Sequence, residues 1–225
     1  GVVPAAAADV RVIHASPDAP NVDVYVNQTI GVDAPAISNL AFTQGTGYLP
    51  LPTGLYDLQV TAFGGVSPVI DAQDVPIDQN IDVSVVAINF LNSITPLILV
   101  DDRTSDASNA RIRFVHAAPD VPTVDIALAG GGGTLFDAVS FGNSGGYISV
   151  PGGSYDLEVQ LDSDNSLALA VPGLQVQNGF VYTVFAMGSL TQGNVQAVVF
   201  VDAIPAPGAV ATLGAGLLMA SRRRR

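Results

Sequence analysis

Apolar and polar residues alternate with a period of two through much of the chain. Val22, Val24 and Val26 share one face of a predicted strand, and the segment 56–62 alternates in the same way. Short runs rich in Val, Ile, Thr and Tyr are separated by clusters of Gly, Pro, Asn and Asp, which is typical of β-strands joined by turns. A helical period is convincing nowhere except at the extreme C-terminus. The sequence therefore predicts an all-β protein.

This pattern occurs twice. Three pairs of segments match, at offsets of 102, 99 and 101 residues: RVIHASPDAPNVDV (11–24) with RFVHAAPDVPTVDI (113–126), LPTGLYDLQV (51–60) with VPGGSYDLEV (150–159), and PLILVDD (96–102) with AVVFVDA (197–203). The drifting offset indicates small insertions and deletions in the loops between matched strands. The chain is therefore predicted to be a tandem duplication.

Each repeat is predicted to be an antiparallel β-sandwich of immunoglobulin-like type. In the first repeat we expect seven strands, near 9–14, 22–27, 36–42, 55–63, 68–71, 81–90 and 95–101. Seven short strands in about 95 residues favour two packed sheets, with a closed barrel as the alternative.

The chain divides into five predicted segments. They are an N-terminal signal-peptide remnant or flexible end (1–8), a sandwich (9–102), a linker (103–109), a second sandwich (110–203) and a C-terminal sorting or anchor segment with a short apolar helix or tail (204–225). The linker is short and polar, so we expect the two copies to lie close together without being fused.

The motif HASPDAPNVDVYV followed by LPTGLYDLQV resembles the domain-of-unknown-function 4397 family. Both copies carry it, so the resemblance covers nearly all of residues 9–203. It implies an extracytoplasmic β-domain of the kind found in secreted and surface proteins of bacteria and archaea. It implies no established activity and no catalytic residues.

Charge excludes some partners. The net charge is −12, but four of the eight basic residues are the terminal arginines 222–225, so residues 1–221 carry 4 arginines against 20 acidic groups, a formal −16. Such a body repels nucleic acid and anionic membranes, and it suits an extracellular surface, divalent cations or a salty medium. Cysteine is absent, which excludes disulfides, thiolate catalysis and cysteine-ligated zinc.

The C-terminus reads IPAPGAVATLGAGLLMASRRRR and has three parts. They are a proline element (Pro205, Ala206, Pro207), an apolar stretch at 208–220 and an arginine cluster (Arg222, Arg223, Arg224, Arg225). This order resembles the PEP-CTERM sorting signal, although Ala206 stands where glutamate is usual. The resemblance implies a processing protease of exosortase type and transient membrane association, since the apolar stretch is shorter than the ~20 residues that span a bilayer.

The start of the chain supports the same destination. Residues 5–8 are a run of alanines that looks like the small-residue end of a secretory signal peptide, with a flexible mature N-terminus as the alternative. We therefore expect an extracytoplasmic protein, at the cell surface or secreted.

The only two histidines, His14 and His116, occupy equivalent places before Pro-Asp turns. Alternation places each ring on an inward strand face, where a neutral imidazole can bond backbone groups of the turn. Asp18 and Asp120 are expected to accept local backbone N–H bonds in these turns. The structural interpretation is favoured for all four residues. The alternatives are a metal or acid–base cluster, which would add Asp23 and Asp125, and a pH-sensitive interface.

The other charged and aromatic candidates are also given structural roles. Arg11 and Arg113 fall on the strand face opposite the histidines, where cross-strand pairs Arg11–Asp23 and Arg113–Asp125 would contribute only ~0.2–1 kcal/mol each. Tyr56 and Tyr155 are predicted core aromatics whose hydroxyls find backbone partners.

No cofactor is expected, and the acidic groups leave Ca²⁺ binding as an alternative. A polar turn is favoured for Asp162 and Asp164, and an ordinary linker role for Asp101, Asp102 and Asp106, with Ca²⁺ binding as the alternative for each set. No catalytic residues are predicted, because the sequence contains no nucleophile elbow and no paired catalytic carboxylates.

The sequence favours a non-enzymatic surface or matrix protein with a structural, adhesive or assembly role. Its expected partners are the sorting protease, extracellular polysaccharide or other surface proteins, and further copies of itself, but not nucleic acid. The alternative is an extracellular ligand-binding module for polysaccharide, assisted by Ca²⁺.

Overall fold

The computed structural model describes residues 7–79 and 81–205, which form sixteen strands and one short 3₁₀ helix, Leu91–Ser93. The first repeat contains β1 (Ala7–His14), β2 (Val22–Val26), β3 (Ile37–Leu40), β4 (Leu49–Pro52), β5 (Gly54–Ala62), β6 (Pro68–Ile77), β7 (Asp82–Ile88) and β8 (Thr95–Asp101). The second contains β9 (Ala110–His116), β10 (Val124–Leu128), β11 (Thr134–Val139), β12 (Ser144–Val150), β13 (Gly153–Leu161), β14 (Leu167–Val176), β15 (Val181–Met187) and β16 (Gln196–Ala203). The predicted all-β class is confirmed.

Each repeat consists of two four-stranded sheets, so it is a sandwich and not a closed barrel. We call the sheets β4-β1-β7-β8 and β12-β9-β15-β16 the inner sheets, and β3-β2-β5-β6 and β11-β10-β13-β14 the outer sheets. The N-terminal sandwich comprises residues 7–101 and the C-terminal sandwich residues 110–203. Strand order is the same in both, as expected for a duplication.

The prediction of purely antiparallel sheets was wrong. In the inner sheets β1 pairs with β7 in parallel, from Val10 with Val83 to His14 with Ala87, and β9 pairs with β15 in the same way. Neither β1 nor β9 is joined to its parallel neighbour by a hairpin, so no tight turn dictates its direction. Each inner sheet is therefore mixed.

Strand β4 was missed because its sequence, LPLP, contains two prolines. It lies at the edge of the inner sheet and pairs only with β1. An edge strand tolerates proline, since its outward N–H groups have no ladder partner to lose. The first repeat thus has eight strands where seven were predicted.

Apolar side chains of each inner sheet pack against those of its outer sheet. In the C-terminal sandwich the rings of Phe114 and Phe136 lie 6.2 Å apart within a single buried cluster. The hydroxyls of Tyr56 and Tyr155 donate to the carbonyls of Pro52 and Pro151 at 2.8 and 2.7 Å, which confirms their predicted backbone partners.

The inner sheets also pack against each other, so the molecule has four layers. One buried apolar cluster joins the two repeats; its buried members are Ile13, Ala15, Val86, Ile88, Leu99, Val115, Ala117, Phe185 and Met187. All seven residues of β15 are buried, which is expected of a strand covered on both faces. The copies lie close together, and they also share this buried cluster, which the short polar linker alone did not predict.

One glycine permits a close approach of the two sandwiches at this interface. A Cβ atom at Gly45 would lie 2.7 Å from Cε1 of Phe200 in the other sandwich and 3.0 Å from Cγ1 of Ile13. Such contacts are shorter than van der Waals packing allows, so the Phe200 ring can seat only over a residue without a side chain.

The predicted C-terminal apolar helix lies outside the described residues, as do Ala206, Pro207 and Arg222 to Arg225. Pro205, the last described residue, packs over Gly179. Within the described part of the chain, no helix is both long and apolar enough to cross a bilayer.

Candidate functional site

The four arginines that the structure describes (Arg11, Arg103, Arg111 and Arg113) all lie at the junction of the two sandwiches. Arg11 on β1 reaches Asp202 on β16, with Nη2 2.7 Å from Oδ1. Reciprocally, Nη2 of Arg113 on β9 lies 2.5 Å from Oδ1 of Asp101 on β8. At most 3% of any of these four side chains is exposed. Two buried ion pairs therefore cross the interface in opposite directions.

A hydroxyl in each sandwich links that sandwich's arginine to its own aspartate. Ser84 Oγ accepts a hydrogen bond from Arg11 Nε at 2.6 Å and donates to Asp101 Oδ2 at 2.6 Å. In the C-terminal sandwich, Thr183 Oγ1 accepts a hydrogen bond from Arg113 Nε at 3.1 Å and donates one to Asp202 Oδ2 at 2.6 Å. Since each aspartate also binds the other sandwich's arginine, the ion pairs form one continuous polar network.

Two tyrosines complete this network. Tyr48 and Tyr147 each donate a hydrogen bond at 2.8 Å, to Asp101 and Asp202 respectively. Arg11 lies 4.8 Å from the centroid of the Tyr48 ring, and the equivalent arginine lies 4.7 Å from the Tyr147 ring. Burial raises the pKa of both tyrosines above its ordinary value. The phenols therefore remain neutral donors, with cations over their faces.

The linker is also held to the body of the protein. Arg103 Nη1 lies 2.6 Å from Asp9 Oδ2 and 3.1 Å from Asp82 Oδ2, while its Nε donates to the carbonyl of Asp202 at 2.8 Å. Arg111 binds Asp102, and this hydrogen bond holds the pKa of Asp102 below its ordinary value. The linker thus restrains both sandwiches.

The predicted pairs Arg11–Asp23 and Arg113–Asp125 were wrong. Both arginines do lie opposite the histidines, but that face is covered by the other sandwich and not by solvent. Asp23 instead accepts hydrogen bonds from Ser38 Oγ and from the backbone N–H groups of Asn39 and Gly64.

The structure does not bring the three linker aspartates together as a Ca²⁺ site. Asp101 is the last residue of β8, and its carboxylate is bound by Arg113, Ser84 and Tyr48. Asp102 binds Arg111, and Asp106 accepts from the Ser108 N–H.

A different acidic cluster does form in the C-terminal sandwich. It consists of Asp125, Asp137 and Asp162, each of which has a carboxylate oxygen within 4.8 Å of those of the other two. Among residues 7–79 and 81–205, this is the group of at least three side chains that could together bind a metal ion. Asp125 is buried, whereas the other two are exposed. Asp164 lies in the same loop as Asp162 but instead accepts a hydrogen bond from Ser166 N.

The equivalent position in the N-terminal sandwich has no such cluster. Strand pairing aligns Asp137 with Ser38 and Asp162 with Phe63. Where the first repeat offers Asp23 a hydroxyl donor, the second places another carboxylate beside Asp125. The sequence analysis did not identify Asp137 as a candidate ligand. Aligning the two repeats would have indicated it, because Asp137 stands where the first repeat has a serine.

Each histidine caps a strand end. His14 Nε2 lies 3.0 Å from the Pro20 carbonyl, and Nδ1 accepts from the Ser16 N–H at 3.3 Å. His116 Nε2 lies 3.1 and 3.0 Å from the carbonyls of Val121 and Pro122, and the Ala118 N–H reaches Nδ1 at 3.3 Å. These partners require a neutral ring with its proton on Nε2.

The aspartates of the two turns do not join the histidines. Asp18 accepts from the Leu91 N–H, and Asp120 accepts from the Leu190 and Thr191 N–H groups. The expectation of local bonds was therefore wrong, because each turn is attached to the loop that follows the seventh strand of its sandwich. Burial opposes ionisation of Asp120, but these N–H donors outweigh it and lower its pKa to about 2.

The histidines predict an acid sensitivity of folding. Burial lowers the pKa of His14 and His116 from the ordinary 6.5, and their carbonyl bonds offset this only in part. Below pH 6.5 the unfolded chain therefore binds protons that the folded chain does not, so stability is complete above that pH. It falls by up to ~1.4 kcal/mol per pH unit per histidine until the lowered pKa values are reached. Urea unfolding at pH 7.5 and pH 5.5 measures the loss.

The matched variant is the double substitution His14→Gln and His116→Gln. It is expected to lose some stability at pH 7.5 but also to lose most of the pH dependence between pH 7.5 and 5.5. The same slope in this variant and in the unsubstituted protein would mean that other groups set the acid sensitivity.

Comparison with known proteins gives one family. The model of the domain of unknown function DUF4397 matches residues 8–127 and 128–212. The break between the two matches falls within β10, so it does not coincide with the junction of the sandwiches. No curated protein matches the chain.

Among solved structures, one match is the crystal structure of CBMbc, a family CBM26 module from Eubacterium rectale Amy13K in complex with maltoheptaose. It has 12% sequence identity and a TM-score of 0.28, and it covers 89% of this chain and 99% of that chain. A likeness of that strength supports no inference about the ligand.

Proposed function

Since the chain belongs to DUF4397, a domain family of unknown function, we propose its role from its own geometry. The proposed role is that of an exported, non-enzymatic protein of the cell surface or extracellular matrix, which acts in structure, adhesion or assembly. Its two sandwiches are proposed to be of the immunoglobulin-like class. The observation that carries the proposal is the reciprocal buried interface between them.

This interface makes the tandem repeat one stiff body. Two ion pairs with almost no exposed side-chain surface and a shared apolar cluster span the junction, and the linker arginine Arg103 binds both sides of it. Domain pairs joined only by a flexible linker move independently. A rigid unit instead fixes the distance and angle between its two ends, which is useful in a protein that spaces or connects other surface components.

The proposed route to the surface depends on the C-terminal segment. A proline element, an apolar stretch and four arginines follow one another directly after the second sandwich. We propose that an exosortase-type protease recognises this segment while it is transiently in the membrane. The arginines would remain on the cytoplasmic side, as positive charge does in membrane proteins generally.

Mass spectrometry of the mature C-terminus tests this route. Surface-fraction protein from the native host is expected to lack Arg222 to Arg225, and their replacement by alanine is expected to reduce the surface fraction. Replacement by four lysines is the matched control, because it retains the charge. Intact arginines on surface-exposed protein would contradict sorting by cleavage.

A second candidate function is polysaccharide binding assisted by Ca²⁺. The observation that favours it is the acidic cluster Asp125, Asp137 and Asp162, since carboxylate oxygens are the ligands that Ca²⁺ prefers. A glycan array probed with and without Ca²⁺ distinguishes this candidate from a purely structural role. Binding to a defined sugar class would favour it.

Thermal melting provides the matching ion test. If the cluster holds Ca²⁺, millimolar Ca²⁺ raises the melting temperature, and Asp137→Asn removes the increase. Asp164→Asn is the matched control, since Asp164 is exposed in the same loop but lies outside the cluster. An unchanged melting temperature in the unsubstituted protein would exclude this form of the second function.

A further inference from the structure

The two sandwiches differ in how their interiors are filled. The N-terminal sandwich contains a partly open cavity of about 50 Å³ between its sheets. Its fourteen lining residues are all apolar and come from both sheets, among them Val12, Val24, Ala72 and Val85. A cavity needs roughly 10–15 Å³ to hold one water, so this one has room for several methylene groups.

Larger side chains occupy the equivalent space in the C-terminal sandwich. Strand pairing aligns Val12 with Phe114 and Ala72 with Val171. Beside Phe114 lies Phe136, where the first repeat has Ile37. The same fold is thus packed with two phenyl rings in one copy and left open in the other.

Neighbouring side chains cover the interior of the N-terminal sandwich incompletely. Val12 and Val85 are only partly buried, although both belong to central strands of the inner sheet, whereas the equivalent Phe114 and Val184 are each only 3% exposed. Ile98, which lines the cavity from the edge strand β8, is 48% exposed. The mouth therefore lies at this edge of the sandwich.

From this geometry we propose that the N-terminal sandwich binds one slender, uncharged hydrocarbon chain, such as the alkyl chain of a neutral amphiphile. The wall offers no polar side chain, so a sugar or an ion would lose its hydration without compensation. Sheets in a sandwich lie about 10 Å apart and side chains fill most of that gap, so a guest in the cavity can be no more than one hydrocarbon chain thick. A polar head would stay at the mouth near Ile98, where the net negative charge of the protein disfavours an anionic head.

Methyl NMR of the full chain titrated with 1-octanol tests the proposal, because the C-terminal sandwich is an internal control. Saturable shifts are expected at the methyl groups of Val12, Val24 and Val60, with one equivalent bound. The methyl groups of Val159 and Val184, at equivalent places in the other sandwich, are expected to remain unchanged. No saturable shift, or equal shifts in both sandwiches, would overturn the proposal.

Filling the cavity is the decisive variant. Val12→Phe places the ring of the second repeat in the first, and it is expected to abolish the saturable shifts. Val32→Phe makes the same substitution at a position that is 80% exposed, and it is expected to leave binding intact. If Val12→Phe does not fold, Ala72→Val narrows the same cavity by two methyl groups and is expected to weaken binding. Undiminished binding in the folded cavity variant would refute the assignment to this site.

Discussion

Replacing Asp202 by alanine is expected to lower the free energy of unfolding by about 3–5 kcal/mol. The substitution leaves Arg11 as an uncompensated charge in a place where its side chain is 2% exposed. It also removes the acceptor for the hydroxyls of Tyr147 and Thr183. Urea denaturation followed by circular dichroism at pH 7.5 measures the change.

Two further variants identify the cause. Asp9→Ala removes one partner of Arg103 from a half-exposed pair, so it is expected to cost no more than about 1 kcal/mol. The double variant Arg11→Met and Asp202→Leu removes both charges, and it is expected to recover most of the stability lost in Asp202→Ala. If the double variant is as unstable as the single one, the lost acceptor for the Tyr147 and Thr183 hydroxyls, and not the unpaired charge, explains the loss.

Replacing Phe185 by alanine is expected to lower the free energy of unfolding by a similar amount, about 3–5 kcal/mol. Phe185 is fully buried in the apolar cluster that joins the sandwiches, and its ring meets that of Phe200 edge-on at 5.7 Å. The substitution leaves a cavity between two sheets that are both fixed by their outer neighbours, so the site cannot collapse. The measurement is again urea denaturation.

The control for this prediction is Phe63→Ala. Phe63 is 57% exposed, and its substitution is expected to change stability by no more than about 0.5 kcal/mol. Equal losses in the two variants would contradict the role of the interface, because the same atoms are removed in both.

The sequence predicted the repeats and the alternation of strand faces, but not what covers each face. Alternation correctly placed Arg11 and Arg113 opposite the histidines. It could not show that this face packs on another sheet, because an arginine on a strand face usually indicates a face that meets solvent. A signal was nevertheless present. The chain has only four arginines before its terminal cluster. Two of these, Arg11 and Arg113, occupy equivalent positions in the two repeats, and so do Asp101 and Asp202.

Other features depend on contacts that no local pattern encodes. The bond from Asp18 to the Leu91 N–H joins residues 73 positions apart, and nothing in the Pro-Asp turn specifies that partner. The parallel pairing of β1 with β7 is likewise a product of tertiary packing. A size difference between the two interiors could be predicted from the sequence, because an alignment of the repeats places Val12 opposite Phe114. That this difference leaves a cavity could be seen only once the positions of the sheets were known.

The reciprocal ion pairs give the interface an approximate two-fold symmetry. Each sandwich supplies one arginine and one aspartate, so each carries both halves of the contact. A surface of that kind is self-complementary, and in separate chains it is the basis of an isologous dimer. Joining the two copies by a linker of a few residues replaces a concentration-dependent association with an intramolecular one. The protein is therefore organised as a dimer within a single chain, whose assembly persists however far the molecule is diluted.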